Sequence, residues 1–443
     1  MGALWKVSDV GIGTNMNFRL LPRGLRAASG ALALLFVASA SAQTVDNKPE
    51  VKAQVIEKIT GIIEKYAYVP GVDFAKWPQL LAEAKPKIDA AKDDTEFQRA
   101  VNEALAKFGT SHIVLATPKQ SEVRRTGSTV GVGISTQLTD NGELLIVRTV
   151  PDAPAERAGL VPGDTITEAD GKKVEGSIAG IIGKEGTDVV LTVRHADDKV
   201  EKYVLTRRPF STVRPEELTW IDKDTAKISI YTFDFSYDRE NVEDLMNKAH
   251  KAKNLILDLR DNGGGAVINL QHMLGMLIPD AKPFGTFVGR SLVDRYVKEA
   301  KGKPDDLAGM AKWSDRKVKP FPNANVPVYK GNLAVLVNGF SGSAAEIAAA
   351  ALRDEANATI VGTKSAGAVL VSMIVNASNG FMIQYPLSDY ITAKGLRLEG
   401  TGVVPDVEAK DPRFHLPNAK DEVVDKAVAL FAQSGKGAKS SGH

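Results

Sequence analysis

The stretch VNGFSGSAAEIAAAALRDEANATIVGTKSAGAVL, which runs from Val337 to Leu370, decides the fold of the largest part of this chain. It begins at the end of an apolar strand pattern, passes a tight turn of small residues and enters an Ala-rich helical pattern. A β-branched run and a second glycine turn follow. Ser343 lies in the first turn, where small neighbours leave room for a substrate backbone. A serine there can act as a nucleophile if another residue supplies a base.

Strand and helix patterns alternate on both sides of this stretch. NLILDLR (Asn254–Arg260) and NLAVLVN (Asn332–Asn338) are typical of buried strands, and an amphipathic helical pattern precedes the first of them. A βαβ series of this kind builds a largely parallel or mixed sheet that is covered by helices. The sequence therefore predicts an α/β core over residues 209–410, followed by a C-terminal tail over 411–443 that is polar from Ser434 onwards.

Two further segments precede this core, so the chain is expected to be multidomain. Residues 44–118 carry helical periodicity, with apolar residues on one face from Val51 to Tyr66, and predict an N-terminal helical domain. Residues 127–208 contain short β-branched runs separated by Asn-Gly, Pro-Gly-Asp and Asp-Gly turns. Such turns at short spacing indicate a small β-rich module.

The first 42 residues have the order of a secretory signal peptide. Three arginines follow Met16, an apolar run covers Ala31–Ala38, and the small residues Ala40-Ser41-Ala42 precede Gln43. We expect residues 1–42 to be a leader that is cleaved after Ala42, which predicts a periplasmic or secreted protein. No apolar run in the remaining chain is long enough to span a bilayer as a helix.

Composition excludes several classes of function. The chain of 443 residues has a formal charge of +2, and the leader holds four basic and one acidic side chain, so the remainder carries −1. Nothing in this balance indicates nucleic-acid binding. The chain contains no cysteine, so an exported form has neither disulfides nor a lipid-bearing thiol. No His/Asp/Glu spacing suggests a metal site, and no cofactor is expected.

Ser343 has two interpretations on the sequence alone. Together with Glu346 it fits the capping box S-x-x-E, so its hydroxyl could simply cap the helix that follows. Alternatively, the surrounding glycines and the helix N-terminus suit a nucleophile. A glycine-rich DNGGG follows the strand that ends at Arg260, and it is either a flexible turn or a source of backbone N–H groups for an oxyanion.

The motifs GSAAEIAAAALRDEANATIVG, LILDLRDNGGG and LEGTGVVPDVE resemble those of the C-terminal processing peptidases, also called tail-specific proteases. The similarity covers most of residues 50–410 and implies a ClpP/crotonase-like peptidase core. In that family the nucleophile matches Ser343, and a catalytic lysine follows twenty-five positions later. Here that position is Ala368, in the turn Ser365-Ala366-Gly367-Ala368-Val369. The customary base is therefore missing.

A related branch, the tricorn core protease and its relatives, uses a serine–histidine pair in its N-terminal helical region and a late glutamate. Ser111-His112 in TSHIVLATP and Glu399 in RLEGTGVVPD match these. The resemblance implies Ser343 as nucleophile, His112 as general base and acid, and Ser111 and Glu399 as orienting groups. A structural histidine and a plain surface carboxylate are the alternatives.

Three further residues complete the predicted site. Gly264 of DNGGG and the Ala344 amide at the helix N-terminus are the expected oxyanion donors. Lys364 is an alternative base, although it lies four positions before the expected lysine and would have to lose its proton by burial or through a cationic neighbour.

The β-rich module resembles a PDZ domain through GVGI and AERAGLVPGD. Gly131-Val132-Gly133-Ile134 takes the place of the loop in which backbone N–H groups hold a peptide carboxylate. A strand-entry glycine pair without a ligand is the alternative. The resemblance implies a serine endopeptidase that engages exposed C-termini, with a possible adaptor or homo-oligomer. A non-enzymatic binder of apolar ligands or peptides on the same fold, similar to the interphotoreceptor retinoid-binding proteins, stays open.

Overall fold

The computed structural model describes residues 48–279, 282–411 and 419–437, with side chains up to residue 432. The leader predicted over residues 1–42 and its cleavage site lie outside these ranges. Within them, no helix is long and apolar enough to cross a membrane. The chain folds into N-terminal helices, a small β-rich module and a mixed α/β core, as the sequence predicts.

The N-terminal region contains three helices and one short strand. They are α1 (Pro49–Tyr66), α2 (Trp77–Ala90), α3 (Asp94–Ala106) and β1 (Val114–Ala116), with a 3₁₀ turn at Phe74–Lys76. The apolar faces of these helices do not form a core of their own. Instead they pack on a sheet of the peptidase-like core, where Phe97 contacts the ring of Phe381 edge-on at 5.4 Å. This packing fixes the loop between α3 and β1 against the core.

The β-rich module holds short strands around a separate apolar cluster. After α4 (Pro118–Thr126) come β2 (Ser128–Gly131), β3 (Ile134–Leu138), β4 (Leu144–Thr149), α5 (Pro154–Arg157), β5 (Thr165–Ala169), β6 (Lys172–Lys173), β7 (Asp188–Arg194), β8 (Val200–Thr206) and β9 (Arg208–Ser211). The main sheet has the order β3-β4-β5-β7-β8, so β3 and β8 are its outer strands.

A six-stranded sheet forms the centre of the core. This part of the chain contains β10 (Glu217–Trp220), β11 (Thr225–Ser229), α6 (Arg239–Ala249), β12 (Asn254–Asp258), α7 (Val267–Leu274), β13 (Gly285–Gly289), α8 (Arg290–Glu299), α9 (Leu307–Trp313), β14 (Asn332–Val337), α10 (Ala344–Ala356) and β15 (Thr359–Gly362). The sheet has the order β10-β11-β12-β14-β15, and its sixth strand, Val407–Glu408, pairs with β15. β13 belongs to a second sheet. In the six-stranded sheet, β11, β12, β14 and β15 run parallel. The loops after β12 and β14 therefore emerge at one edge, where parallel sheets usually hold their ligands.

The second sheet of the core positions the remaining functional loops. It contains β13, β16 (Leu370–Asn376) and the long β17 (Met382–Thr392), to which β1 of the N-terminal region also pairs. Val114 of β1 lies opposite Gln384, so the residues just before β1 reach the same end of the core as the turn before β16. Pairing over such a sequence distance brings Ser111 and His112 to the core.

The C-terminal region differs from its sequence prediction. Residues 411–443 were expected to be a tail, yet after β18 (Val407–Glu408) the helix α11 (Glu422–Gly437) packs on the face of the central sheet opposite α10. Its apolar stripe of Val423, Val424, Ala427 and Phe431 covers Ile256, Ala334, Leu336 and Val361. The prediction was wrong because a sheet with two apolar faces needs a cover on both.

Candidate active site

Ser343 sits at a strained turn between β14 and α10. Its φ of 53° and ψ of −119° lie outside the usual cap conformation, although Ser343 and Glu346 form the predicted capping box at the start of α10. A non-glycine residue in the left-handed region costs about 1–3 kcal/mol and is held only by its surroundings. Hydrogen bonds of the two preceding residues hold this turn: Ser341 Oγ donates to Leu259 O (2.8 Å), and Gly342 N–H donates to Asn262 O (2.9 Å).

His112 faces this serine from the loop between α3 and β1. Its Nε2 lies 3.0 Å from Ser343 Oγ, although 231 residues separate the two in the chain. His112 also has a positive φ, of 56°, in the region that histidine visits more often than most residues. Both partners of this contact thus sit on backbone that the fold forces into a sparsely populated conformation.

A second hydrogen bond continues from the other imidazole nitrogen. Ser111 Oγ lies 2.7 Å from His112 Nδ1 and 2.9 Å from Glu399 Oε2. Glu399 is only 7% exposed and also accepts from Ser111 N–H (2.9 Å) and Val369 N–H (2.7 Å). The carboxylate therefore touches Ser111 directly and reaches His112 only through the hydroxyl, so the four side chains form an unbranched chain.

These hydrogen bonds determine which group donates and which accepts at each contact. An ionised carboxylate only accepts, so the Ser111 hydroxyl donates its single hydrogen bond to Glu399 and accepts one from His112 Nδ1–H. Nε2 is then left with a lone pair that faces Ser343. Burial lowers the pKa of His112 below its ordinary value of 6.5, against the opposing effect of the Glu399 charge. At neutral pH the imidazole is accordingly uncharged and can take a proton.

Glu346 makes more contacts than the capping-box interpretation predicts. It is fully buried, and its Oε2 accepts from Ser343 N–H (3.1 Å) and Ala368 N–H (3.0 Å). Its Oε1 accepts from Ser365 Oγ (2.6 Å) and Gly367 N–H (2.7 Å). Burial raises the pKa of this carboxyl, and the donors counteract the rise. Glu346 therefore ties the nucleophile turn to the glycine turn that precedes β16.

The DNGGG loop packs directly on the nucleophile, but its donors differ from the expectation. A Cβ on Gly264 (φ 99°) would lie 2.6 Å from Ser343 Cβ, so only glycine fits there. The Gly264 N–H, predicted as an oxyanion donor, is instead bonded to Asn262 Oδ1 at 2.9 Å. Asn262 also donates to Ile230 O (2.8 Å). No acceptor for the Ala344 N–H occurs among the described residues, and its nitrogen lies beside Gly264.

Lys364, which the sequence offers as an alternative base, is not buried. The Lys364 side chain is exposed, and within the described ranges it makes no hydrogen bond or ion pair. It therefore lacks the burial that would make it a base. The residues predicted to bind a peptide, Gly131-Val132-Gly133-Ile134, run from the end of β2 to the start of β3.

That link is built closely against the rest of the module. A Cβ on Gly133 (φ 77°) would come within 2.1 Å of Ala153 Cβ. The Val132 and Gly133 carbonyls accept from Ala155 and Val150 N–H. β3 pairs with β4 alone, and the side chains of Leu138, Ile178 and Ile182 are about half exposed. Among the described residues, the outer edges of β3 and β8 are thus unpaired, and the module carries exposed apolar side chains.

The described residues contain no group of three or more His, Asp or Glu side chains that is arranged to hold a metal ion. What the site offers chemically is a nucleophile, a neutral imidazole, a buried carboxylate behind it and a backbone N–H at a helix N-terminus. This set can carry out acyl transfer.

Comparison with known proteins agrees with the fold. Residues 224–409 match the model of peptidase family S41, and residues 145–195 match a PDZ domain. The crystal structure of mature CPAF superposes with a TM-score of 0.53 at 14% identity, covering 89% of this chain and 99% of that one. Its complex with lactacystin gives a TM-score of 0.52 at 15% identity, covering 87% and 98%. At such identities the likeness concerns the fold alone.

Curated relatives are similar to this chain over about two thirds of its length. A probable CtpA-like serine protease from Staphylococcus aureus strain bovine RF122 is 29% identical over 307 residues, or 66% of this chain and 56% of its own. One from Staphylococcus haemolyticus is 28% identical over 297 residues, or 65% and 54%. The chain thus spans about half the length of these relatives. Its matches to peptidase family S41 and to a PDZ domain make the chain similar to the C-terminal processing peptidases.

Proposed function

We propose that this protein is a serine-type endopeptidase in which His112 replaces the customary lysine as the base. The observation that carries this proposal is the unbroken chain of hydrogen bonds from Ser343 through His112 and Ser111 to Glu399. This arrangement leaves His112 Nε2 unprotonated at 3.0 Å from the Ser343 hydroxyl, a distance at which a general base can take the proton.

In the first half-reaction Ser343 Oγ attacks the carbonyl carbon of the scissile peptide bond. The hydroxyl proton moves to His112 Nε2. The imidazolium that results donates its Nδ1–H hydrogen bond to Ser111 Oγ, which keeps its own proton and donates a hydrogen bond to Glu399. The same Nε2–H is then delivered to the leaving amine nitrogen as the C–N bond breaks. An ester between Ser343 and the substrate carbonyl remains.

In the second half-reaction water attacks this ester. Its proton passes to His112 Nε2, and the Ser343 oxygen recovers a proton from the same atom as the ester bond breaks, which releases a carboxylic acid. The Ala344 N–H supports the negative charge on the carbonyl oxygen in both steps. Gly264 N–H contributes only after its bond to Asn262 Oδ1 has opened.

The expected substrates are proteins or peptides with exposed, mostly apolar C-termini. A PDZ groove holds a C-terminal carboxylate at backbone N–H groups while the peptide pairs with an outer strand. The unpaired edge of β3 and the exposed Leu138, Ile178 and Ile182 support this assignment. Export by the signal peptide is part of the proposal, and sequencing the N-terminus of the mature protein tests it, with Gln43 expected first.

The experiment that tests the activity compares wild type, Ser343→Ala and His112→Ala on casein, with a fluorophosphonate probe as a second readout. Loss of cleavage in both variants and labelling of Ser343 in wild type support the proposal. Cleavage that survives either substitution removes that residue from the mechanism. A wild-type protein that neither cleaves nor reacts is a non-enzymatic binder on this fold.

A further inference from the structure

β16 is an outer strand of the second core sheet. It pairs antiparallel with β17, while β1 and β13 occupy the opposite edge of β17. No strand among the described residues pairs with the other edge of β16. Over its seven residues, roughly 20 Å long, it therefore presents unpaired backbone N–H and C=O groups.

This open edge begins beside the nucleophile. The Ala368 carbonyl, two residues before β16, accepts from Ser343 N–H at 2.8 Å. The Val369 N–H, directly before the strand, donates to Glu399 at 2.7 Å. Glu346 holds the same turn through Gly367 and Ala368. The start of β16 therefore lies two residues from a backbone contact with Ser343.

The sequence of β16 also differs from that of a protected edge. Outer strands usually carry charges that prevent pairing with other chains. β8, the outer strand of the PDZ domain, carries Glu201 and Lys202, whereas LVSMIVN in β16 has no charged residue. Met373 in its middle is 48% exposed. Such an edge is open to an uncharged, extended partner.

We propose that β16 is the strand with which the main chain of the substrate pairs on one side of the scissile bond. The inference rests on the proposed peptidase function and adds to it how an unfolded segment is aligned. Main-chain pairing selects for an extended conformation rather than for sequence, with apolar side chains favoured beside Met373. The PDZ groove would then hold the C-terminus, and β16 the segment that is cut.

The first test is an N-methyl scan of one cleaved peptide, in which each amide near the scissile bond is methylated in turn. Methylation removes a donor, and in an antiparallel or parallel pair every second amide faces the partner. We expect kcat/KM to fall about tenfold at alternate positions on one side of the bond, and to change little between them. If kcat/KM does not fall at alternate positions, the β16 proposal is wrong, while the proposed activity still stands. A peptide that is not cut, or is cut equally well by Ser343→Ala, removes both proposals.

The second test uses Met373→Asp with Val204→Asp as the matched control, since Val204 is an exposed apolar residue (67%) on the outer strand β8. Met373→Asp should lower kcat/KM on casein about tenfold and leave the rate of fluorophosphonate labelling unchanged, because the nucleophile is intact. Val204→Asp should match wild type. If Met373→Asp instead changes a dimer into a monomer and cleavage persists, β16 is an interface between copies and the proposal is wrong.

Discussion

Ser111→Ala isolates the link between His112 and Glu399. The substitution removes the hydroxyl that lies 2.7 Å from Nδ1 and 2.9 Å from Glu399 Oε2. It leaves the backbone N–H of residue 111 and of Val369 on the carboxylate, so Glu399 keeps its position. The change therefore acts on the imidazole and little else.

The size of the effect follows from the charge that develops. In the transition state the imidazole is positive and donates Nδ1–H to Ser111, and a hydrogen bond to a charged group contributes about 1.5–3 kcal/mol. Each 1.36 kcal/mol is tenfold in rate, so kcat should fall about ten- to a hundredfold while KM changes little. Steady-state kinetics on a fluorogenic peptide measures this, with Ser121→Ala in α4, whose hydroxyl bonds Thr117 O, as the control.

A double-mutant cycle with Glu399→Gln sharpens the assay. If the two residues act on His112 in series, the combined loss should be clearly smaller than the product of the single losses. A kcat for Ser111→Ala within twofold of wild type would refute the reasoning, because His112 would then work without its Nδ1 partner. Independent, multiplying losses would show that Glu399 acts on another group.

Three further predictions test other parts of the site and the fold. A base works when it is deprotonated, and burial lowers the pKa of His112, so kcat/KM should rise with pH through a midpoint below 6.5. Glu399→Gln removes a charge that raises this pKa, so it should move the midpoint lower still. A wild-type midpoint above 7 would contradict the assignment of His112 as the base. Glu346→Ala leaves buried N–H groups of Ser343, Gly367 and Ala368 without their acceptor, so we expect slower labelling of Ser343 and a lower melting temperature, whereas Lys364→Ala should change neither. Phe431→Ala in α11, where the ring is 9% exposed, should reduce the free energy of unfolding by about 3 kcal/mol in urea titrations, and a loss under 0.5 kcal/mol would show that α11 does not cover the sheet.

The sequence predicted the parts of this molecule that local pattern determines. Helical periodicity located α1, β-branched runs located β12 and β14, and the Asn-Gly, Pro-Gly-Asp and Asp-Gly turns separate elements of the β-rich module. The pairing of His112 with Ser343 came from motif resemblance rather than from pattern. No periodicity relates residues 231 positions apart, and their meeting depends on β1 pairing with β17.

Other features were out of reach of sequence reasoning for physical reasons. The capping box predicted a helix start at Ser343 correctly, but Glu346 also serves a turn twenty residues later, and such a partner is visible only in three dimensions. Asn262 was part of a recognised glycine loop, yet only coordinates show that its side chain takes the Gly264 N–H.

The C-terminal helix was missed because its polar neighbours suggested a tail. The pairing of Asp421 with buried Arg260, which anchors the start of α11, joins residues far apart in the chain. The helical spacing of the apolar residues Val423, Ala427 and Phe431 was the signal in the sequence from which a buried helix face could have been predicted.

The most direct measurement of the central claim is the rate at which a fluorophosphonate acylates Ser343, followed by mass spectrometry across pH 4–9 in wild type and His112→Ala. The account predicts one adduct on Ser343, a wild-type rate that rises with pH through the titration of His112, and a variant that reacts at least a hundredfold more slowly with no such dependence. Equal rates in the two proteins would contradict it, because the serine would then be activated by a group other than His112.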